Sequence, residues 1–125
     1  RDKDYGDMYL ELYSKYPLVK GWMHTGKPDA IVYFTPANVY WINHNSLKRF
    51  FTEQLFPKID EKLCSSLVDS EKNIVSYRIT LNGEKEKINL IKADNKDGNE
   101  WTTLGISVSF DALNRHGVRF LKFSV

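Results

Sequence analysis

DMYLELYSKYPLVKGWMHTGKPDAIVYFTPANVYWINHNSLKRFF, residues Asp7 to Phe51, is the stretch on which the fold turns. Tyr9 to Tyr13 is bulky and β-favouring, which reads as a strand with Glu11 at its middle. A helix from Tyr5 to Tyr16 competes, because Met8, Leu12 and Tyr16 recur at helical spacing. Pro17 ends the element either way. Gly21 and Gly26 punctuate a loop from Leu18 to Pro28. Ala30 to Phe34 is apolar on both faces, the pattern of a central strand. Thr35-Pro36-Ala37-Asn38 turns the chain, and Val39 to Ile42 returns as an antiparallel hairpin. Asn45 or Ser46 then caps a helix from Leu47 to about Leu55, with Leu47, Phe50, Phe51 and Leu55 on one stripe.

Beyond Phe51, Pro57 interrupts the helix, and Ile59 to Leu67 reads as a further short one. Asn73 to Leu81 and Lys87 to Ile91 form a second hairpin about the Asn82-Gly83 turn signal. Asp94 to Asn99 is a polar loop. Leu104 to Phe110 alternates, with Leu104, Ile106, Val108 and Phe110 on one face. Asp111 to Arg115 is a short helical turn ending at Gly117, and Val118 to Val125 closes as a strand. These elements predict a single α+β domain over residues 1–125. Its central sheet is mixed or antiparallel, flanked by two or three helices.

A chain of 125 residues is long enough to bury a core, and 42% apolar with 14% aromatic content argues against disorder. The net charge of +2 supplies no global field for nucleic acid, so such binding needs a local basic patch. Cys64, the single cysteine, has no partner for an internal disulfide, which points to a reduced, cytoplasmic setting. No apolar run approaches the roughly 18 residues of a membrane helix, so no membrane partner is expected. The chain begins RDKDYGD without an initiator methionine, as a processed product or a chain lacking an upstream segment would.

Asp7, Glu11 and Asp29 are the candidate metal ligands. Carboxylates are hard oxygen donors, and two of them can hold Mg²⁺ while water completes the octahedron. The metal then activates water and stabilises charge on a phosphodiester. The alternative places these acids in solvent or at a loop cap. Trp22 either stacks on a base or sits in the core. Lys48 and Arg49, with Lys20 and Lys27, make either a phosphate-contacting patch or a solvated helix face. His24, His44 and His116 lack the spacing of a helical zinc site. Glu84-Lys85-Glu86-Lys87 alternates in sign, as an exposed hairpin does. There is no phosphate-binding glycine loop and no nucleophile elbow.

Gly6 to Ser14, then Gly21-Trp22, Lys27 to Tyr33, Val39 to Ile42 and Leu47 resemble a section of the PD-(D/E)XK-type nuclease-like proteins of phages and prophages. The resemblance implies a DNA-acting domain with Mg²⁺-dependent phosphodiester hydrolysis. Glu11 and Asp29 would face the metal, Lys27 would contact phosphate or water, and Trp22 would neighbour the site. That superfamily holds its metal with an Asp and an acid-x-Lys pair on adjacent strands, whereas Glu11-Leu12-Tyr13 carries Tyr at the lysine position. Either the catalytic strand lies upstream, or the scaffold is kept without the chemistry. The rival reading is a catalytically inactive binding module of viral or mobile-element origin. Its aromatic-rich hairpins would contact a host protein or nucleic acid, drawing on seven Tyr and three Trp. A third is a subunit of a larger nucleic-acid machine.

Overall fold

Alternation decides the first element. Met8, Leu10 and Leu12 are buried, while Tyr9, Glu11 and Tyr13 between them are only partly so. A strand gives that period of two and a helix cannot. In the computed structural model, which describes residues 6–25, 30–95 and 101–124, this strand β1 runs Asp7–Lys15. A short β2 (Val19–Lys20) folds back on it, and a single-turn helix α1 (Trp22–Thr25) lies where the sequence reads as loop.

β3 (Ala30–Phe34) and β4 (Asn38–Asn43) form the expected hairpin. β4 runs directly into α2 (His44–Phe50), which continues as a π-helical turn (Phe51–Leu55) and a 3-10 turn (Phe56–Lys58). The cap of α2 is Asn43 rather than Asn45 or Ser46. Its side-chain oxygen accepts the Ser46 N–H at 2.8 Å, and the Ser46 hydroxyl donates back to the Asn43 carbonyl at 2.9 Å.

After α3 (Glu61–Val68) come β5 (Ile74–Leu81) and β6 (Glu84–Asn95), joined by Asn82 and Gly83. Both turn residues have positive φ, 50° and 82°, the two-residue turn whose twist matches the flanking strands. β7 (Trp101–Ser109), α4 (Phe110–Arg115) and β8 (Phe120–Ser124) complete the described chain. Gly117, at φ 94°, closes α4: Val118 N–H donates to Leu113 O at 2.9 Å, and Gly117 N–H donates to Asn114 O at 3.3 Å.

The class is mixed α+β, as expected, but the strands make two antiparallel sheets instead of one central sheet. One has the order β2-β1-β7-β6-β5 and the other β3-β4-β8. β3 is therefore an edge strand, which corrects its reading as central. Its apolar character on both faces has a different origin, given below.

One core joins the two sheets. Leu10, Ile88, Leu90, Leu104 and Ile106 from the large sheet share it with Leu47, Phe50 and Phe51 around α2, and with Cys64 and Leu113 from α3 and α4. Tyr40 of β4 stacks on Phe110 at the start of α4, with ring centroids 3.6 Å apart. The helices are short and the strands carry most of the architecture. Among the described residues, no helix is long and apolar enough to cross a membrane.

Candidate functional site

In the small sheet the side chains sort by pairing register. Val32, Trp41 and Leu121 stand opposite one another in one row, and Phe34, Val39 and Phe123 in the next. Tyr33, Tyr40 and Phe120, one residue out of phase, point to the core and meet Phe110. The outer rows are therefore left to solvent: Val32 is 42% exposed, Phe34 69%, Trp41 54%, Leu121 62% and Phe123 54%. Arg119, with Asn43 and Ala30, edges a shallow hollow of about 290 Å³ beside Trp41. Among the described residues no carboxylate stands on this face. Lys122 lies on the other side, its ammonium 5.9 Å from the Tyr40 ring.

The residues singled out from sequence lie mostly elsewhere. Lys27 and Asp29 fall outside the described residues. Asp7 and Glu11 share the outer face of β1, four residues and about 13 Å apart along the strand. Each has its own partner. The Ser107 hydroxyl bonds the Asp7 carboxylate, and the Trp22 amide donates to Glu11 Oε1 at 3.3 Å. The structure does not bring these two acids together.

Trp22 opens α1 and packs half-buried against the core. Lys48 places its ammonium on the carbonyls of Met23 and His24, at 2.6 and 2.7 Å, closing the end of α1. Arg49 is exposed on α2. On the same face as Glu11, Tyr9 lies across Gly105, and its phenol is pushed up to about 12 by burial and by the Glu11 charge.

A second cluster sits where β6 begins. Glu86 is only 6% exposed, which corrects the reading of residues 84–87 as a wholly exposed hairpin. The reason is tertiary: α4 delivers Arg115 and His116 onto this strand. Arg115 donates to both Glu86 oxygens, Nη2 at 2.8 Å and Nε at 3.1 Å, and His116 Nε2 lies 2.7 Å from Oε2. Glu84 lies 3.7 Å from the same guanidinium. The Arg115 hydrogen bond holds the Glu86 carboxyl below the usual range, against burial and with help from His116. Sequence spacing carried one signal for this site, a Glu-x-Glu at the mouth of a hairpin. Nothing local announced that His116 would reach it.

His24 is packed edge-on between Phe51 and Phe56, at 5.0 and 4.7 Å, with Tyr13 beyond at 6.2 Å. Burial lowers its pKa from 6.5, and the Lys20 and Lys48 ammonium groups lower it further. Below pH 6.5 the unfolded chain therefore takes up the proton before the folded one. The neutral imidazole's contribution is complete above pH 6.5 and is lost as pH falls through the lowered folded value. Urea midpoints are expected to fall between pH 7.5 and 5.5, and His24→Phe should flatten that slope. An unchanged slope in His24→Phe would assign the loss to other groups.

Comparison with protein-family models, with curated proteins and with solved structures gave no significant match.

Proposed function

We propose that this chain is a binding domain that assembles through the outer face of its three-stranded sheet, and that the occupant is a second copy of itself. The observation behind this is the double row Val32-Trp41-Leu121 and Phe34-Val39-Phe123, apolar and largely exposed. Taking about 150–250 Å² for a large aromatic side chain and somewhat less for Val and Leu, the exposed fractions amount to roughly 500 Å² of apolar surface. A contiguous apolar patch of that size is often functional.

A stable interface needs about 800 Å² per partner. Asn43, Arg119 and the 35–37 turn at the rim can supply the remainder. The face is almost uncharged, so an identical face meets it without burying an unpaired carboxylate. Two sheets stacked about 10 Å apart under a two-fold axis give a closed sandwich, with nothing left over to propagate.

Light scattering on the eluting chain tests this, with a dimer expected. A monomer would contradict it. So would a monomer that floats with anionic phosphatidylserine vesicles, since that makes a lipid surface the occupant.

One observation favours a second reading, metal-dependent action on DNA. The Trp22 amide is held by Glu11, and the Tyr33 hydroxyl accepts the Tyr9 N–H at 3.3 Å. Trp22 and Tyr33 are thus each tied to β1. In this reading Glu11 and Asp29 hold Mg²⁺, and Lys27 contacts the scissile phosphate. Mn²⁺ binding by calorimetry and Mg²⁺-dependent plasmid cleavage are expected, both lost in Glu11→Ala and in Asp29→Ala. Cleavage unchanged in both variants removes the reading.

A further inference from the structure

We propose that Glu84, Glu86 and His116 form a site for a late first-row divalent cation, zinc above all, in which Arg115 is a resident internal cation that the metal displaces. The site belongs to the large sheet and stands whatever covers the small one.

The geometry is nearly that of a coordination sphere. One ligand atom from each of the three residues lies within 4.8 Å of the other two. A zinc ion about 2.0–2.2 Å from its N and O donors needs those donors roughly 3–4 Å apart, so Glu84 has to close in and the 2.7 Å His116–Glu86 contact has to widen. Its framework is built by backbone. The Asn82–Gly83 turn fixes the start of β6, and strand alternation puts residues 84 and 86 on one face. The Gly117 closure of α4 fixes His116 opposite them.

Two members are preorganised and two are free to adjust. The Glu86 and His116 side chains are 7% and 3% exposed, whereas those of Glu84 and Arg115 are 60% and 47% exposed. A metal can therefore enter by turning the guanidinium outward and opening the 2.7 Å hydrogen bond between His116 Nε2 and Glu86 Oε2. Glu86 and Arg115 also line a groove of about 630 Å³ on the sheet, together with Asp7, Lys87, Asn89 and Ser107.

Charge balance favours the exchange. Two carboxylates and one guanidinium leave a net negative charge, which a divalent ion in place of the guanidinium cancels. In the metal-bound form the imidazole ligates through Nε2, giving up its hydrogen bond to Glu86, with its one proton on Nδ1. An imidazole in the donor set selects Zn²⁺ or Co²⁺ over Mg²⁺ and Ca²⁺, which prefer oxygen alone. Water completes the sphere.

Calorimetric titration of the whole chain with Zn²⁺, and Co²⁺ absorption as the spectroscopic probe, test the site. One ion per chain is expected. Glu84→Gln removes an exposed ligand, so the fold survives while affinity falls about tenfold or more. Arg115→Gln removes the competitor, and affinity rises about tenfold, the worth of one charge-assisted hydrogen bond at a half-exposed position. Circular dichroism of both variants confirms that the fold is intact. Absence of Zn²⁺ binding up to millimolar metal, binding indifferent to Glu84→Gln, or binding weakened by Arg115→Gln would each overturn the proposal.

Discussion

Trp41→Glu combined with Leu121→Glu is expected to yield a folded monomer at concentrations where the native chain is a dimer. The two residues face each other across β4 and β8 at the centre of the outer face. Both side chains are more than half exposed in a single chain, so carboxylates there are solvated and disturb the monomer little. In the dimer, four glutamates would be pressed into an apolar contact whose cation, among the described residues, is Arg119 at its corner. An unpaired carboxylate taken out of water costs several kcal/mol. Even about 4 kcal/mol in total lowers the association constant by about a thousandfold. The far-ultraviolet spectrum should be unchanged and the mass halved. A double variant that stays dimeric would place the interface elsewhere.

Gly105→Ala is the most damaging small change expected in the large sheet. Gly105 pairs with Glu11 across β1 and β7, and the Tyr9 ring lies directly over it. A β-carbon there would sit 2.0–2.2 Å from the ring carbons and hydroxyl of Tyr9. The ring must leave, and forced repacking of this kind costs about 1–3 kcal/mol. The phenol gives up a site buried enough to push it up to about 12.

In a Tyr9→Ala background the effect of Gly105→Ala is expected to change sign. With Tyr9→Ala the obstruction is gone, and alanine is the better strand residue by about 0.5–1 kcal/mol because glycine loses more backbone entropy. Gly105→Ala should then be neutral or stabilising. Urea denaturation of the four chains in this cycle measures the coupling. Additive effects would mean that the ring does not depend on the bare glycine.

Local patterns point to most of the elements but not to their assembly. Leu104, Ile106 and Val108 alternate, Asn82-Gly83 demands positive φ, and Gly117 closes a helix. Each is decided by its immediate neighbours and each is found. That β1 pairs with β7, and that β3, β4 and β8 separate into a second sheet, depends on contacts between distant parts of the chain. No window of sequence contains them.

AIVYF illustrates the limit. Apolar residues on both faces imply contacts on both faces, and the natural inference is a strand inside a sheet. Here one face meets Phe110 and the core, while the other is exposed. The composition is legible in the sequence, but not that the second face is left exposed. Glu86 misled in the opposite way. Within a run of alternating charge it reads as solvated, and only the arrival of α4 buries it. Glu11 was correctly placed on a strand, yet its described partner is the Trp22 amide, while Lys27 and Asp29 lie outside the described residues.

Sedimentation equilibrium of the native chain across about 1–100 μM is the most direct test of the sheet-face assembly. A weight-average mass rising towards twice the 14.6 kDa of one chain is expected, with the rise abolished by the paired glutamates. A mass of 14.6 kDa at every concentration would contradict it.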